Sequence, residues 1–399
     1  MIKNAIYIVF ALGILSGCTA TTVENKNKSE EAVESVKNGI VDGKIPEKLE
    51  SYWPTTDWRT SLPEQQGISS SKLADLFESL EKKTNLLAGL IIIRNGYIVA
   101  EHYPNPAYKQ DTKHEINSVT KSIMSAVTGV AINEGYIKSV DDRIFDYFPN
   151  RTVANMDEHK KNLTVKDFLM MTSGLDWGEL DKERYKQLWA DFESTKDTVQ
   201  FVLDKPTDPK LIDKFDYNTG LSHILSAIVQ QTTGKKTAEY AQEKIFNKIG
   251  ITTAVWRETQ GVNKGGYSME MTPRDMARFG YLYMNEGEWD GEQIIPKEWV
   301  QTSMSELVPT GVTGGEHYGY YFWITTTKDG YKEISAMGDR GQYIIMVPEL
   351  DLLVIQTSGA YLNTDIYEDY IYPAVVASEP IPVDAEGNKR LKKSMKNSF

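Results

Sequence analysis

Apolar residues recur at helical spacing in one part of the chain and at strand spacing in another. A first run places them at i, i+3, i+4 and i+7 and predicts an amphipathic helix over residues 71–82. Two β-rich runs then flank Asn95-Gly96, which is the strongest short-range signal for a β-hairpin. Beyond Ser118 the residues are apolar over most of a helix surface, so this helix is predicted to be buried.

Helical patterns dominate the middle of the chain and strand patterns return towards its end. The helical patterns cover residues 165–172, 222–232, 237–249 and 272–285. The strand patterns cover residues 320–326, 333–336, 342–347 and 352–357, and a last helical pattern covers 363–376. This order predicts an α+β fold in which one sheet is assembled from both ends of the domain, with a helical insertion between them. We expect a single domain over residues 52–380.

The N-terminus predicts export. Residues 1–17 hold Lys3 and an apolar run that is too short to span a bilayer but suits a signal peptide. The string Leu15-Ser16-Gly17-Cys18 resembles the bacterial lipobox, in which the cysteine is lipidated; the alternative is an ordinary secretion signal with a chance cysteine. We expect a protein anchored to the cell envelope through Cys18. Thr19 is not the Asp that favours inner-membrane retention in enteric-type bacteria, so we expect the outer membrane, at its periplasmic face.

Three further segments have simple patterns. Residues 18–51 are polar and are predicted to be a tether. Residues 381–399 form a basic tail, for which we expect a solvated, frayed terminus; contact with anionic lipid is the alternative. Residues 310–315 are predicted to be a mobile glycine-rich loop.

Composition excludes several classes of function. The 399 residues carry a formal net charge of −12, which argues against a nucleic-acid partner because phosphates require a basic surface. Five histidines and one cysteine are too few and too scattered for a zinc-type cluster. We therefore expect no metal site.

The candidate nucleophiles are serines that precede a lysine by three residues. No Gly-x-Ser-x-Gly elbow is present, but Ser-x-x-Lys occurs three times, at Ser69/Lys72, Ser79/Lys82 and Ser118/Lys121. On a helix, positions i and i+3 share a face, and burial lowers a lysine pKa so that its amine can act as a base. The first two pairs lie on an amphipathic helix and are interpreted as structural. Lys121 lies on the helix predicted to be buried, which favours a catalytic role.

Two later segments carry further candidates. Tyr217 lies in a turn-rich string before a helix, and a tyrosine beside a lysine can move protons; core packing is the alternative. Residues 337–343 form a glycine turn before a strand, where a backbone N–H could bind an oxyanion; an ordinary turn is the alternative. Ser173, in Thr172-Ser173-Gly174, is interpreted as part of a helix-to-loop turn.

Together these elements resemble the serine β-lactamase-related family, which includes class C β-lactamases, DD-peptidases, family VIII esterases and 6-aminohexanoate-oligomer hydrolases. The similarity runs from about Trp58 to Val375, and residues 163–174, 274–280 and 318–324 are also typical. The three motifs are Ser118-Val119-Thr120-Lys121, Tyr217-Asn218-Thr219 and Asp339-Arg340-Gly341. The resemblance implies a β-lactamase/transpeptidase-like fold, with an antiparallel sheet flanked by helices.

The resemblance also implies a mechanism. Ser118 would attack a carbonyl and form an acyl-enzyme, while Lys121 and Tyr217 take its proton and deliver one to the leaving group. The backbone amides of Ser118 and Gln342 would bind the oxyanion. Water would then release the acyl group, and no metal or organic cofactor would be needed.

The motifs depart from the family pattern at two positions that bear on the substrate. Thr219 replaces Asn, and a hydroxyl reaches less far than an amide. Asp339 replaces the lysine that meets the substrate carboxylate in β-lactamases, so repulsion of β-lactams is expected; Arg340 could compensate. We expect Asp339, Arg340, Gly341 and Thr219 to contact substrate. Trp177 lies where such enzymes often line the pocket, but a core role is equally compatible with its pattern.

The sequence therefore predicts an exported, lipid-anchored serine hydrolase that cleaves a small-molecule or peptide ester or amide. A DD-peptidase or β-lactamase acting on cell-wall-like substrates is the alternative among enzymes. A non-catalytic, peptide-binding lipoprotein is the alternative from another class. The presence of Ser118, Lys121 and Tyr217 argues against this alternative, because a binding module has no need of all three.

Overall fold

An antiparallel eight-stranded sheet organises the computed structural model, which describes residues 43–81, 86–362 and 365–396. The strands of this sheet are β1 (Leu87–Arg94), β2 (Tyr97–His102), β10 (Val308–Val312), β11 (Gly315–Tyr318), β12 (Trp323–Thr326), β13 (Lys332–Gly338), β14 (Gln342–Val347) and β15 (Leu352–Ser358). The first two come from the start of the domain, and the other six come from its end. Their order in space is β10-β11-β12-β13-β14-β15-β1-β2. The sheet built from both ends of the domain is thus confirmed.

The described chain also contains seven short strands and twelve α-helices. The short strands are β3 (His114–Glu115), β4 (Val255–Trp256), β5 (Glu258–Thr259), β6 (Val262–Asn263), β7 (Met269–Met271), β8 (Glu288–Trp289) and β9 (Glu292–Gln293). The α-helices are α1 (Ser70–Glu81), α2 (Val119–Asn133), α3 (Glu158–Lys161), α4 (Val165–Leu169), α5 (Tyr185–Ser194), α6 (Thr198–Leu203), α7 (Thr219–Thr233), α8 (Thr237–Ala241), α9 (Pro273–Met284), α10 (Lys297–Ser303), α11 (Tyr372–Ala374) and α12 (Ala385–Lys396). Among the described residues, no helix combines the length and apolar character needed to cross a membrane.

The two faces of the sheet pack against different layers. Along β1, Ile91 and Ile93 belong to the large core shared with α2 and the helical insertion, while Leu90 and Ile92 pack against α1. This alternation follows from the two-residue period of a strand. The predicted hairpin is confirmed: Asn95 and Gly96 both have positive φ, 48° and 78°, as a two-residue type I′ turn requires.

The C-terminal segment differs from its sequence-based prediction. Residues 385–396 form α12, which packs on α1 instead of fraying into solvent. Leu391 is buried, Arg390 forms ion pairs with Asp75 and Glu78, and the Asn388 amide donates to Glu64. These partners lie more than 300 residues away in sequence, so no local pattern could reveal them.

The structure also describes the predicted glycine-rich loop and the end of the predicted tether. The predicted glycine-rich loop at 310–315 is the tip of the β10–β11 hairpin at the edge of the sheet, with Gly311 and Gly314 at positive φ. The end of the predicted tether is described from Gly43 onwards, and its Gly43 N–H donates to Val383 O at 2.9 Å. The signal peptide, Cys18 and the remainder of the tether lie outside the described residues.

The structural interpretation of the first Ser-x-x-Lys pair agrees with its surroundings. Lys72 is exposed and its amine donates to Pro373 O, away from Ser69. Ser79 lies in α1, whereas Lys82 lies outside the described residues.

Candidate active site

Ser118 lies at the N-terminus of the buried helix α2. The preceding residue, Asn117, has φ +48°, and its side-chain amide donates to Asp339 O at 3.0 Å. Strand β13 approaches Ser118 so closely that only glycine fits at its end. A Cβ added to Gly338 would lie 3.2 Å from Ser118 N and 2.3 Å from Ile116 O. The sheet therefore holds the serine at a fixed position.

Lys121 lies one helical turn after Ser118, and its side chain is almost completely buried. Its Nζ is 3.0 Å from Ser118 Oγ and donates to Gly266 O at 2.9 Å. Burial lowers the pKa of Lys121 to about 8, and the charge of Glu179 opposes this shift. An appreciable fraction of neutral amine is thus present near neutral pH, in contact with the serine hydroxyl.

Tyr217 completes the predicted trio. It is buried just before α7, lies close enough to Ser118 for that side chain to influence its pKa, and places its ring centre 4.8 Å from Lys121 Nζ. The ring stacks on Trp323 with 5.8 Å between centroids. Burial, reinforced by the charge of Glu179, raises the pKa of Tyr217 well above its ordinary value. The phenol is therefore protonated at neutral pH, and Lys121 is the better base.

Ser118 and Gln342 flank the same strand end. Gln342 pairs with Gly338 across β13 and β14, and a Cβ on Gly338 would lie 3.1 Å from Gln342 Cβ. The two residues predicted to supply the oxyanion-binding amides thus lie on either side of Gly338.

Asp339, Arg340 and Gly341 form the turn between these two strands. The Asp339 carboxyl accepts a hydrogen bond from Tyr361 at 2.8 Å, and Arg340 Nε lies 3.4 Å from its other oxygen. Burial raises the pKa of Asp339. Arg340 and Gly341 both have positive φ, 59° and 84°. The turn therefore presents a largely buried carboxyl with a half-exposed guanidinium beside it.

Thr219 and Trp177 meet at a residue that the sequence analysis missed. Both donate to the buried carboxylate of Glu179: the Thr219 N–H, the Thr219 hydroxyl and Trp177 Nε1, each at 2.7 Å. Trp177 is only 1% exposed and packs on Phe192, so the structure places it in the core behind Thr219.

Gly266 is the second residue that the sequence analysis missed. Besides accepting from Lys121, it leaves no room for a side chain: a Cβ would lie 2.3 Å from Ser222 Oγ, 2.9 Å from Thr219 Cγ2 and 3.1 Å from Lys121 Nζ. Gly265-Gly266 could have been noted in the sequence, but nothing local connects this pair with Lys121.

Other candidates lie apart from this arrangement. Ser173 is buried and its Oγ accepts from Leu175 N–H at 3.2 Å, as expected for a residue that stabilises a turn. Within the described part of the chain, no group of three or more His, Cys, Asp or Glu side chains could hold a metal ion.

Comparison with known proteins decides the family. The beta-lactamase family model matches residues 73–372, which is most of the described domain. The chain belongs to the beta-lactamase family. Its resemblance to serine β-lactamase-related proteins and the α+β, β-lactamase/transpeptidase-like fold are thereby confirmed, and so is its classification as a serine hydrolase.

Individual relatives of this beta-lactamase-family protein are distant. It is 24% identical over 312 residues to a 6-aminohexanoate-dimer hydrolase from Paenarthrobacter ureafaciens, covering 73% of this chain and 76% of that one. It is 22% identical over 227 residues to a teichoic acid D-alanine hydrolase from Staphylococcus aureus, covering 52% of this chain and 54% of that one. The structure of a putative 6-aminohexanoate-dimer hydrolase from Bacillus anthracis matches with a TM-score of 0.64 and 19% identity, covering 80% and 86% of the two chains.

Gly266→Ala tests the packing around Lys121. The added methyl group must displace the buried amine or Ser222, and displacement of a catalytic group by about 1 Å costs on the order of 100-fold in rate. We expect labelling of the chain by a fluorophosphonate to slow by at least about 100-fold. The rate is measured from the intact mass of the chain. Gly359→Ala is the matched control, because its Cβ would meet only Leu86 O, at 3.7 Å. Labelling of the Gly266 variant at the unchanged rate would contradict this geometry.

Proposed function

We propose that this beta-lactamase-family hydrolase cleaves an ester or amide through an acyl-enzyme on Ser118. The observation that carries the proposal is the buried Lys121 amine 3.0 Å from Ser118 Oγ. A serine hydroxyl is a weak nucleophile until a neighbouring base takes its proton. A lysine whose pKa burial has lowered can be that base.

The proposed reaction gives each residue of the site a role. Neutral Lys121 takes the Ser118 proton as Oγ attacks the carbonyl carbon, and the carbonyl π electrons move to its oxygen. The backbone N–H groups of Ser118 and Gln342 stabilise this oxyanion. As the oxyanion collapses, the bond to the leaving group breaks, and the proton reaches that group through the Tyr217 phenol. Water then attacks the acyl-enzyme as Lys121 takes its proton. When this second tetrahedral intermediate collapses, the bond between the carbonyl carbon and Ser118 Oγ breaks, Lys121 returns the proton to Oγ, and the acid is released.

The charge of the Asp339 turn supports an ester or amide without a carboxylate at that position. The Asp339 carboxyl lies in the turn proposed to contact substrate, and in its ionised form it repels the carboxylate that β-lactams and peptide termini carry. The Arg340 guanidinium lies 3.4 Å from Asp339 and opposes this repulsion. Cleavage of cell-wall peptides or β-lactams is therefore the alternative, and a silent peptide-binding protein is disfavoured by the contact between Lys121 and Ser118.

A second candidate substrate class is an aminoacyl ester. The acidic group at Asp339 would attract the ammonium of such a substrate, where a lysine would repel it. The similarity to a teichoic acid D-alanine hydrolase supports including D-alanyl esters among the substrates to be tried.

Residues 1–18 support a location in the cell envelope. A short apolar run ending in Leu15-Ser16-Gly17-Cys18 favours export and lipid attachment at Cys18, with the membrane as partner. Thr19 favours the outer membrane in enteric-type bacteria. Mass spectrometry of the chain purified from its membrane fraction tests this proposal, which requires a lipidated Cys18 at the N-terminus.

Ser118→Ala tests the nucleophile. We expect kcat/KM for a short-chain ester to fall at least about 10⁴-fold, as for other serine nucleophiles, while the free energy of unfolding changes by less than about 0.5 kcal/mol. Ser69→Ala, in the Ser-x-x-Lys pair on α1, is the matched control and should keep full turnover. Retained turnover in the Ser118 variant would refute the acyl-enzyme proposal.

Asp339→Lys tests the charge argument. Relief of like-charge repulsion is expected to raise the rate of acylation by a penicillin at least about tenfold, since such repulsion costs several kcal/mol. Asp339→Asn removes the charge without adding a cation and should give an intermediate rate. If acylation does not rise in either variant, carboxylate repulsion does not set the substrate preference.

A further inference from the structure

Glu179 is a buried carboxylate that takes no part in the proposed mechanism of Ser118, Lys121 and Tyr217. It is 2% exposed and lies between Gly174 and α5. Its two oxygens accept three hydrogen bonds, two from Thr219 and one from Trp177, all at 2.7 Å. Each of these donors is neutral. A buried charge is costly unless an opposite charge faces it, so the location of the nearest cation matters.

Lys121 is a cation within electrostatic reach of Glu179, whereas Arg184, on the neighbouring segment, is already paired with Asp176. Thr219 Cγ2 and Lys121 Nζ both lie beside Gly266. A Cβ added to Gly266 would be 2.9 Å from Thr219 Cγ2 and 3.1 Å from Lys121 Nζ. Thr219 in turn donates its hydroxyl to Glu179. A single side chain therefore separates the carboxylate from the amine. The direct partners of Lys121, Ser118 Oγ and Gly266 O, are uncharged.

We propose that Glu179 is a positioning residue of the Ser118 site, which supplies the negative charge facing the buried Lys121 and holds Thr219 in place. Thr219 occupies the position of the family's Asn but is shorter, and Glu179 fixes both its backbone N–H and its hydroxyl. The same two bonds hold the first turn of α7, which directly follows Tyr217. This inference rests on the proposed function, because it assigns Glu179 a role in the same reaction.

The proposal has a consequence of defined sign. The negative charge of Glu179 favours the protonated form of Lys121 and raises its pKa, in opposition to burial. Only neutral Lys121 can take the Ser118 proton, so kcat/KM should rise as the pH rises through about 8. Removal of the charge would lower the Lys121 pKa further. The acidic limb of the pH profile would then move to lower pH.

The other ionisable groups near Glu179 must be distinguished from Lys121 in the pH profile. Burial raises the pKa of Asp216 to about 6, with Glu179, Asp176 and Arg184 nearby. Asp339 lies close enough to influence Tyr185 as well as Tyr217. The tyrosines that face Glu179 all have raised pKa values and stay uncharged through the range of the experiment; they are Tyr185, Tyr217, Tyr267 and Tyr318. Within this group Lys121 alone is expected to change charge near pH 8.

The experiment compares Glu179→Gln with the wild-type full-length chain. We measure kcat/KM for a short-chain ester between pH 5.5 and 10, estimating a downward shift of the acidic limb by about 1 unit from the effect of a nearby opposite charge. The plateau should also fall, because one amide oxygen cannot accept all three donors. Glu179→Asp keeps the charge and should leave the limb in place while lowering the plateau. Glu183→Gln, an exposed residue on the same segment, is the matched control and should match the wild type.

A purely structural role gives a different result. It would lower the plateau and leave the acidic limb of Glu179→Gln where the wild type has it, and that outcome overturns the proposal. A wild-type chain without turnover would instead refute the proposed function.

An unfolding experiment tests the proposed charge interaction between Glu179 and Lys121 without measuring catalysis. Because the interaction exists only while Lys121 is protonated, the difference in unfolding free energy between wild type and Glu179→Gln should be larger at pH 6.5 than at pH 9.5. An equal difference at both pH values overturns the proposal without reference to catalysis.

Discussion

The proposed active site depends on the burial of one lysine amine. In the proposed mechanism Lys121 acts as a base because burial lowers its pKa, and its protonated form is retained because polar groups surround it. Ser118 Oγ and Gly266 O take its hydrogen bonds, and the ring of Tyr217 covers it. Burial without these partners would destabilise the fold. Exposure to solvent would return the pKa of the amine to its ordinary value and leave Ser118 without a base.

Three distant parts of the chain must meet to create this environment. Helix α2 supplies Ser118 and Lys121, the segment before α7 supplies Tyr217, and the β6–β7 connection supplies Gly266. The sheet fixes the fourth side, because Gly338 allows β13 to lie against the start of α2. The sheet contains strands from both ends of the domain, so the site is assembled by contacts between distant parts of the chain. The helical insertion and the sheet therefore both contribute to it.

The features that could be predicted from the sequence are those that depend on residues close together along the chain. Ser118 and Lys121 share one face of one helix, and the apolar residues around them indicated burial, so this pair and its contact could be inferred. The Asn95-Gly96 hairpin was predicted for the same reason. Tyr217 and Gln342 required resemblance to a family, because their approach to Ser118 depends on tertiary packing. Gly266 and Glu179 were missed, because neither residue belongs to a periodic pattern in the sequence. Gly266 matters for the room it leaves to neighbouring side chains, and Glu179 for the hydrogen bonds that it accepts from Thr219. Helix α12 was missed because its stability comes from Arg390 and Asn388 contacting the start of the domain.

The central claim is that Ser118 is an activated nucleophile, and covalent labelling tests it most directly. The full-length chain is incubated with a fluorophosphonate, its intact mass is measured, and the modified peptide is sequenced by fragmentation. The account predicts one adduct per chain, on Ser118, whose rate of formation rises with pH as Lys121 loses its proton. No adduct, or an adduct on Ser173 or another serine, would contradict it.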